Sequence, residues 1–452
     1  MSVYEVWSTD KEGPLCIRAA DTDRPEDGRA QVTVTVDRGS RGQTIDGFGA
    51  SWTDSAAYLV GEVLSEEERT RVLRALFHPC EGIGLSLLRN PMGASDYARF
   101  FYSYDDQPPG GADPDLLDFS ITHDCRSILP LTRMAAQLNP DLQVFATPWS
   151  PPGWMKDSDH MIGGSLRPEY YGTYADYFVR YVRGCADEGV VIRAVSPQNE
   201  PMYVPGHYPG MLFPAADEAR FVRDHLRPAF NRAGLFTKIM GYDHNWDCPD
   251  YPLELFEQAY DAFDGIAWHW YADEPATQTV VYHQYPDKEV HFFEGSGGEW
   301  IPGDDRGFLK VVSRIIEVMR NHSRSFIMWN LALDENNGPT VPGFGESVCR
   351  GLVKVHSDGS GWEFTPDYHA LALFSSFIRP GAVRVESSSS DTLHSLACLN
   401  PDGSLAVVLA NESDEPVTVT LEDRGSPHRV RLSPFSTVTV VFPAAVPFPA
   451  GK

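Results

Sequence analysis

Paired cysteines are missing from this chain. Its seven cysteines, at 16, 80, 125, 185, 248, 349 and 398, form no C-x-x-C pair and are odd in number. That excludes a dense disulfide framework and a clustered zinc site, and reads as scattered reduced thiols. Basic charge is scarce too: 37 Lys and Arg stand against 63 Asp and Glu, a formal net charge of −26. Nucleic-acid binding needs a basic surface and anionic membranes repel an acidic one, so neither partner is expected. No run of 18 apolar residues occurs, so no stable membrane association is expected. The opening segment MSVYEVWSTDKEG lacks the apolar stretch of a secretory signal, which points to a cytoplasmic location. The G-x-G-x-x-G, G-x-x-x-x-G-K-[ST] and H-E-x-x-H patterns are all absent, which removes the phosphate loops of a doubly wound sheet and the commonest zinc hydrolase signature.

What is present divides the chain into ends and middle. Residues 30–36 (AQVTVTV) alternate as a half-buried strand does, and so do SLAVVLAN (404–411), PVTVTLED (416–423) and RVRLSPFSTVTVVF (429–442). Turn-rich stretches separate the tail strands, which suits a β-sandwich whose tail pairs with N-terminal strands. The middle alternates eight apolar runs with amphipathic helices. The runs are 43–49, 84–90, 142–148, 191–197, 237–243, 265–270, 289–295 and 325–331. Helices are expected over 65–77, 170–189, 216–234 and 308–322. Eight strand–helix units predict an α/β fold: a (β/α)8 TIM barrel with an associated β-sandwich. The expected domains are 1–40 (strands joining the sandwich), 41–380 (the barrel) and 381–452 (the C-terminal sandwich). Long joins follow the second and third strands (90–115 and 148–170), at the end of a barrel where sites are built.

Glu200 sits in SPQNEP (196–201), just past the fourth apolar run. Pro197 cannot donate to a strand ladder, so the strand should end there, and Pro201 steers Glu200 from helical toward extended geometry. The seventh run, EVHFFEG, ends in Glu294. Alone, Glu200 is equally a structural hydrogen-bonding group, and Glu294 has a strand-end cap or salt-bridge partner as its alternative. Together, at the carboxyl ends of strands four and seven, they face each other across a barrel mouth, the arrangement of paired carboxylates flanking a glycosidic bond. The glycines of DGFG (46–49) are expected to serve close backbone packing, and Asp54 a helix cap or structural pair.

Seven segments in this order resemble glycoside hydrolase family 30, the glucosylceramidase-like retaining β-glycosidases. They are TIDGFGASWTDSAA (44–57), GIGLSLLRNPMGASDY (82–97), ATPWSPPGWMK (146–156), SPQNEP (196–201), AWHWY (267–271), FFEGSGG (292–298) and MWNLALDENNGP (328–339). The resemblance spans nearly the whole chain. It implies that Glu200 is the general acid/base and Glu294 the nucleophile, and that Arg89, Asp96, Trp149, Asn199, His269, Tyr271 and Trp329 line the sugar pocket. Within that frame Arg89 and Tyr271 are candidates to favour the charge of Glu294. The charge on Glu294 should then raise the pKa of Glu200. Asn199 is placed for the sugar 2-hydroxyl or for a turn cap. Asp96 is placed for sugar hydroxyls or an Asx-turn, and Trp149 and Trp329 offer flat walls. His269 either supports Glu294 through a hydrogen bond or is a satisfied core histidine.

The implied function is a retaining β-glycosidase acting on a β-linked carbohydrate or glycoside without cofactor or metal. An exo-acting β-glucosidase on small glycosides is the first expectation. A β-1,6-glucanase, β-1,6-galactanase or β-xylosidase is the alternative within the family. A non-catalytic carbohydrate-binding protein and a metal hydrolase using His269 and His291 are the rivals from other classes. The metal rival has a direct check: hydrolysis of an aryl β-glycoside should be unchanged after EDTA and dialysis, and activity lost to EDTA but restored by a divalent cation would revive it.

Overall fold

Eight short apolar runs close into one parallel barrel. The computed structural model describes residues 4–10, 13, 16–18 and 31–444. Its barrel strands are β1 (Gly47–Ser51), β2 (Leu87–Pro91), β3 (Gln143–Thr147), β4 (Ile192–Val195), β5 (Lys238–Asn245), β6 (Gly265–His269), β7 (Glu289–Glu294) and β8 (Ser325–Met328). They hydrogen-bond in chain order, and β8 closes on β1 with Phe326 opposite Phe48. Strands covered on both faces must be apolar throughout, which is why they read as continuous runs rather than alternations.

The first run is read differently from its sequence. Gln43 and Thr44 end a long sandwich strand, Gln31–Thr44, and the barrel strand starts only at Gly47. Between them the Ile45 and Asp46 amides turn to Ala382 and Arg324 carbonyls. The lumen then fills with one side chain from each of β2 to β8: Leu87, Phe145, Ala194, Met240, Ala267, Phe293 and Ile327. Phe145 and Phe293 stack at 5.0 Å. On β1 the corresponding strand carries Gly49, because a Cβ there would fall 2.0 Å from the Leu87 carbonyl oxygen.

Helices sheathe the barrel. Glu66–Phe77 starts at Ser65, whose hydroxyl accepts from the Glu68 amide at 3.2 Å. Tyr171–Asp187 and Asp305–Arg320 follow their strands, the latter capped by Asp304. The segment expected as one helix over 216–234 is Ala215–Phe221 and Arg227–Ala233, joined by one wide turn, Val222–Leu226. Pro228 lies next to the wide turn, and its missing N–H and ring oppose regular helical bonding there.

The sandwich is a nine-stranded sheet folded on itself. Its order is Cys16–Arg18, Glu5–Ser8, Ser436–Phe442, Leu405–Asn411, Leu393–Leu399, Val383–Ser387, Gln31–Thr44, Val417–Asp423 and Ser426–Leu432. Gln31–Thr44 pairs with Val383–Ser387 through two register shifts and with Val417–Asp423 in parallel, so one long strand serves both halves. Such irregularities bend a strand and re-aim it. Val34, Val385, Val407, Val419 and Val438 lie in the core between the halves. The terminal pairing is direct, with Val6 opposite Val440. Parts of the expected terminal domains, residues 1–3, 11–12, 14–15, 19–30 and 445–452, lie outside the described residues.

The opposite face of the sandwich packs on the barrel. Leu396, Cys398, Ala406, Val408 and Ala410 share one apolar cluster with the barrel helices, and Thr439 Oγ1 donates to the Leu373 carbonyl at 2.7 Å. The barrel mouth therefore sits on a fixed base. The filled lumen gives a stability prediction: Phe145→Ala should cost about 3–5 kcal/mol in urea unfolding. A loss below about 1 kcal/mol would contradict tight lumen packing.

Candidate active site

The residues expected to form the sugar site gather toward the carboxyl ends of the barrel strands. Arg89 lies in β2, two residues before its end, and Asp96 lies in the loop beyond it. Trp149 follows β3, Asn199 and Glu200 follow β4, His269 ends β6 and Tyr271 follows it, Glu294 ends β7 and Trp329 follows β8. Strand direction alone brings these distant segments to one rim.

The Arg89 guanidinium is the hub, and it is fully buried. Its Nη1 donates to Glu294 Oε2 at 2.6 Å. Its Nη2 donates to Asn199 Oδ1 at 2.7 Å and to Asp243 Oδ2 at 2.9 Å, and Nε donates to Thr147 Oγ1 at 3.3 Å. Four strands are tied through one planar fork. The second oxygen of Glu294 accepts from the Tyr271 hydroxyl at 3.1 Å.

Glu200 reaches the site by a backbone the sequence did not forecast. Pro201 keeps it out of the right-handed helix, but its φ is 47°, left-handed rather than extended. The turn is held from several sides: the Glu200 amide donates to the Asp243 carbonyl at 3.0 Å, Asn199 N to Pro148 O at 2.9 Å, and Gln198 Nε2 to Trp149 O at 2.7 Å. A non-glycine residue in this region costs about 1–3 kcal/mol and persists where surroundings over-determine it.

His269 serves Glu200, not Glu294. Its Nδ1 lies 3.1 Å from Glu200 Oε1 and its Nε2 lies 2.8 Å from Asp243 Oδ1. The sequence left open whether His269 supports Glu294 or is a satisfied core histidine, and it named neither of these partners. The partner missed is Asp243, which bridges Arg89, Thr147 and His269. Its signal was a polar Asp-His-Asn end on an otherwise apolar fifth strand. Tyr242 and Asp243 both have positive φ, at 70° and 54°, where β5 slips register against β6. That bulge turns the Asp243 carboxylate into the mouth. His244 was also missed: it is partly buried, with Nδ1 3.6 Å from Glu200 Oε1.

Electrostatics follow from these contacts. Both nitrogens of His269 face carboxylates, which suits an imidazolium with two donors. Burial alone would push His269 down, but Glu294, Asp243 and Glu200 outweigh it and raise it to about 9. Burial pushes Asp243 up, and Arg89 with His269 more than reverses this and holds it well below the carboxylate range. Arg89 and His269 thus stand against three carboxylates, Asp243, Glu200 and Glu294. Burial raises both glutamates. The hydrogen bond from His269 and the nearby His244 bring Glu200 below its ordinary value, whereas Glu294 stays above it despite His269 and Arg89, because the charge on Glu200 adds to burial. This reverses the order expected from sequence. The cause is the position of the imidazolium, which sits on Glu200.

Glu200, His244 and His269 also lie close enough to hold a metal ion between them. Both ring nitrogens of His269 are already committed to carboxylates, so this donor set suits a proton better than a metal.

The remaining sugar-facing candidates divide. Asn199 gives its oxygen to Arg89, which leaves its amide nitrogen to donate outward. Asp96 is raised to about 8, first by burial and then by Glu294, and accepts weakly from Trp329 Nε1 at 3.4 Å. Trp149 and Trp329 stack on each other at 4.8 Å and are only 3% and 2% exposed. They are less an open wall than a packed support for Arg89, which lies 4.8 Å over Trp149. Tyr208, missed in the loop after Glu200, has its phenol raised by burial and by the nearby Asp96, Glu200 and Glu294 carboxylates. Asp54 is the structural pair, bonded to Arg99 and His123.

The loops around the mouth are cross-braced. The buried Lys156 amine donates to Ser150 Oγ, Met161 O and Gly210 O at 3.0, 2.7 and 2.8 Å, which ties the loop after β3 to the loop after β4. Trp154 Nε1 donates to the Asp105 carbonyl at 2.8 Å and ties it to the loop after β2.

Comparison with known proteins agrees along the chain. Residues 45–378 match the TIM-barrel domain of glycosyl hydrolase family 30, and residues 381–440 match the β-sandwich domain of that family. An endo-1,6-β-D-glucanase of Aspergillus fumigatus is 31% identical over 437 residues, covering 91% of this chain and 88% of the relative. A putative glucosylceramidase of Caenorhabditis elegans is 29% identical over 470 residues, covering 97% and 88%. The solved endo-β1,6-glucanase BT3312 superposes with a TM-score of 0.88 at 28% identity, covering 97% of this chain and 99% of that one.

The Asp243 link gives a pH prediction. His269 is raised from 6.5 to about 9. Its contribution to folding should therefore be complete below about 6.5 and lost as pH rises through about 9. Asp243→Asn should bring the His269 titration, followed by NMR, back toward about 6.5. It should also lower kcat/KM by about 100-fold, the scale of a misplaced catalytic group. An unmoved imidazole titration would remove Asp243 from this role.

Proposed function

The chain belongs to glycosyl hydrolase family 30 and is a glycosidase, and from that premise we propose an endo-acting β-1,6-glucanase that retains anomeric configuration. The observation that carries the substrate is the end-to-end likeness to two proteins named as endo-1,6-glucanases, one by sequence and one by structure. The exo-acting β-glucosidase expected first is less well supported. An open lip agrees with an endo enzyme: Met202, Tyr203, Val204 and Leu212, in the loop after Glu200, are all exposed.

The chemistry follows from the hydrogen bonds. Glu294 is the nucleophile, with one oxygen on Arg89 and the other on Tyr271. It attacks the anomeric carbon as the glycosidic C–O bond breaks. The leaving oxygen takes its proton from Glu200, which draws on the hydrogen bond shared with His269. The proton of the pair must sit on Glu200, with Glu294 ionised, when the bond breaks; bound sugar, by excluding water and bringing the leaving oxygen to Glu200, favours that placement. In the second step water attacks the glycosyl ester, gives a proton to Glu200 and frees Glu294 as carboxylate. Direct attack requires carboxyls about 5–5.5 Å apart, too close for an intervening water. The pair is coupled, so a pH–rate profile reports the pair and not either residue.

A substrate panel tests both parts. β-1,6-Gluco-oligosaccharides should be cleaved internally and in preference to nitrophenyl β-glucoside, β-xyloside and β-galactoside. NMR of the first product should show the β-anomer. Glu294→Gln should lower kcat by on the order of 10⁴-fold or more, the scale of a lost attacking group. Release of single glucose units from chain ends would restore the exo reading. An α-anomeric first product would overturn the double displacement.

A further inference from the structure

A second cleft opens beside the catalytic rim. Its volume is about 710 Å³, within the range of small-molecule sites. At one end it is lined by Tyr271, whose hydroxyl is on Glu294, and by Ser296, two residues beyond Glu294. At the other it reaches Lys310 and Arg314 on the helix Asp305–Arg320, and Glu412 of the sandwich domain. It thus lies between the tyrosine that hydrogen-bonds Glu294 and the junction of the two domains.

Its middle holds Trp300, 51% exposed. This indole is fixed from below. A Cβ on Gly298 would fall 2.2 Å from the Trp300 ring, so the absent side chain is what lets the ring lie on the backbone. The hairpin beneath is held by Glu299 N to Val348 O at 2.9 Å and Ile301 N to Gly298 O at 3.1 Å. A large aromatic with one face braced and the other open costs little entropy when a ligand covers it. Around it stand polar groups of both signs. Arg314 is paired with Glu274 and lies 3.5 Å from Glu317, and Glu412 lies 3.6 Å from His394. Lys310 has no ion-pair partner within 4.0 Å among the described residues. A flat apolar platform ringed by donors and acceptors, with no single-sign field, fits a neutral polyhydroxylated ligand better than a phosphate, a carboxylate or a lipid tail.

We propose that this cleft binds further sugar units of the β-glycan whose cleaved bond lies at Glu294, with Trp300 as the stacking platform and Lys310 as a hydroxyl donor. The inference deepens the endo-glucanase reading and rests on it for the chain-like substrate. An exo enzyme removing one residue has no use for a second sugar-binding surface continuous with its nucleophile. An endo enzyme gains from one, because remote binding energy orients the reacting bond.

The test separates the cleft from the linkage. Binding of β-1,6-, β-1,3- and β-1,4-gluco-oligosaccharides and xylo-oligosaccharides, from two to six units, is measured by calorimetry on Glu294→Gln. The same panel is run on Glu294→Gln combined with Trp300→Ala or with Lys310→Met. Affinity for the β-1,6 series should rise with length in Glu294→Gln, and Trp300→Ala should remove about a tenfold share of that rise, the scale of one lost stacking contact. Lys310→Met should remove a smaller share. In the otherwise native enzyme, Trp300→Ala should lower the ratio of kcat/KM on the longest to the shortest substrate by a similar factor. A Trp300-dependent length effect confined to another β-glycan would keep the cleft and sink the β-1,6 reading. Affinities that ignore both substitutions, for every glycan in the panel, would overturn the cleft.

Discussion

The site depends on one buried cation. Taking a guanidinium wholly out of water costs several kcal/mol unless its donors are met. Arg89 meets that cost by donating to groups at the ends of β3, β4, β5 and β7. The penalty for leaving any of those bonds unmade is what fixes their relative positions. Glu294, Asn199 and Asp243 are thus held by the same constraint that holds Arg89, and Asp243 passes it to His269 and then to Glu200. The two glutamates are set by a continuous path of charged hydrogen bonds rather than by separate anchors. A path of this kind fails as a unit: without Asp243, Arg89 loses an acceptor and His269 loses one of the three carboxylates that favour its charge.

The backbone bears a matching strain. Glu200, Tyr242, Asp243 and Asn330 all have positive φ, and all stand at or just beyond the carboxyl ends of barrel strands. In the middle of β1, the chain instead solves its crowding with glycine at Gly49. The difference has a physical reason. Where only packing matters, removing a side chain is the cheapest solution; where a functional side chain must be aimed, the residue keeps it and the surroundings supply the compensation. The lumen layer beneath, braced by the Phe145–Phe293 stack, and the sandwich fused to the barrel's outer helices give the rigidity this requires.

Much of this was legible in the sequence, and the gaps follow a pattern. The eight strands were readable because parallel strands buried on both faces must be apolar throughout. Glu200 and Glu294 were readable as a pair, because two carboxylates at matching strand ends are harder to explain structurally than one, whereas Arg89 entered only through the family resemblance. Asp243 was passed over, although it also ends an apolar strand, because its role exists only through partners on three other strands. The left-handed turn at Glu200 was hidden for a similar reason. Pro201 excludes one conformation by local sterics, but the choice between extended and left-handed is made by the Asp243 carbonyl, 43 residues away in the chain. The break at 45–46 was hidden because Gln43 and Thr44 look apolar-flanked locally while belonging to the other domain's sheet.

The electrostatic order of the glutamates is the clearest case of geometry overruling residue type. Sequence reasoning paired the charge of Glu294 with a protonated Glu200, since neighbouring carboxylates cannot both ionise freely. In the structure Arg89 and His269 both stand against these carboxylates. What the sequence omits is where the second cation stands. Because His269 hydrogen-bonds Glu200, these contacts favour charge on Glu200. The assignment of roles then rests on what substrate changes. Covering the mouth removes water and brings an alkoxide-like oxygen to Glu200, while the oxocarbenium character developing at the sugar favours a charged Glu294. Both changes push the proton toward Glu200 and away from Glu294. The site is thus poised near balance, and the reacting sugar itself supplies the bias that divides two identical side chains into acid and nucleophile.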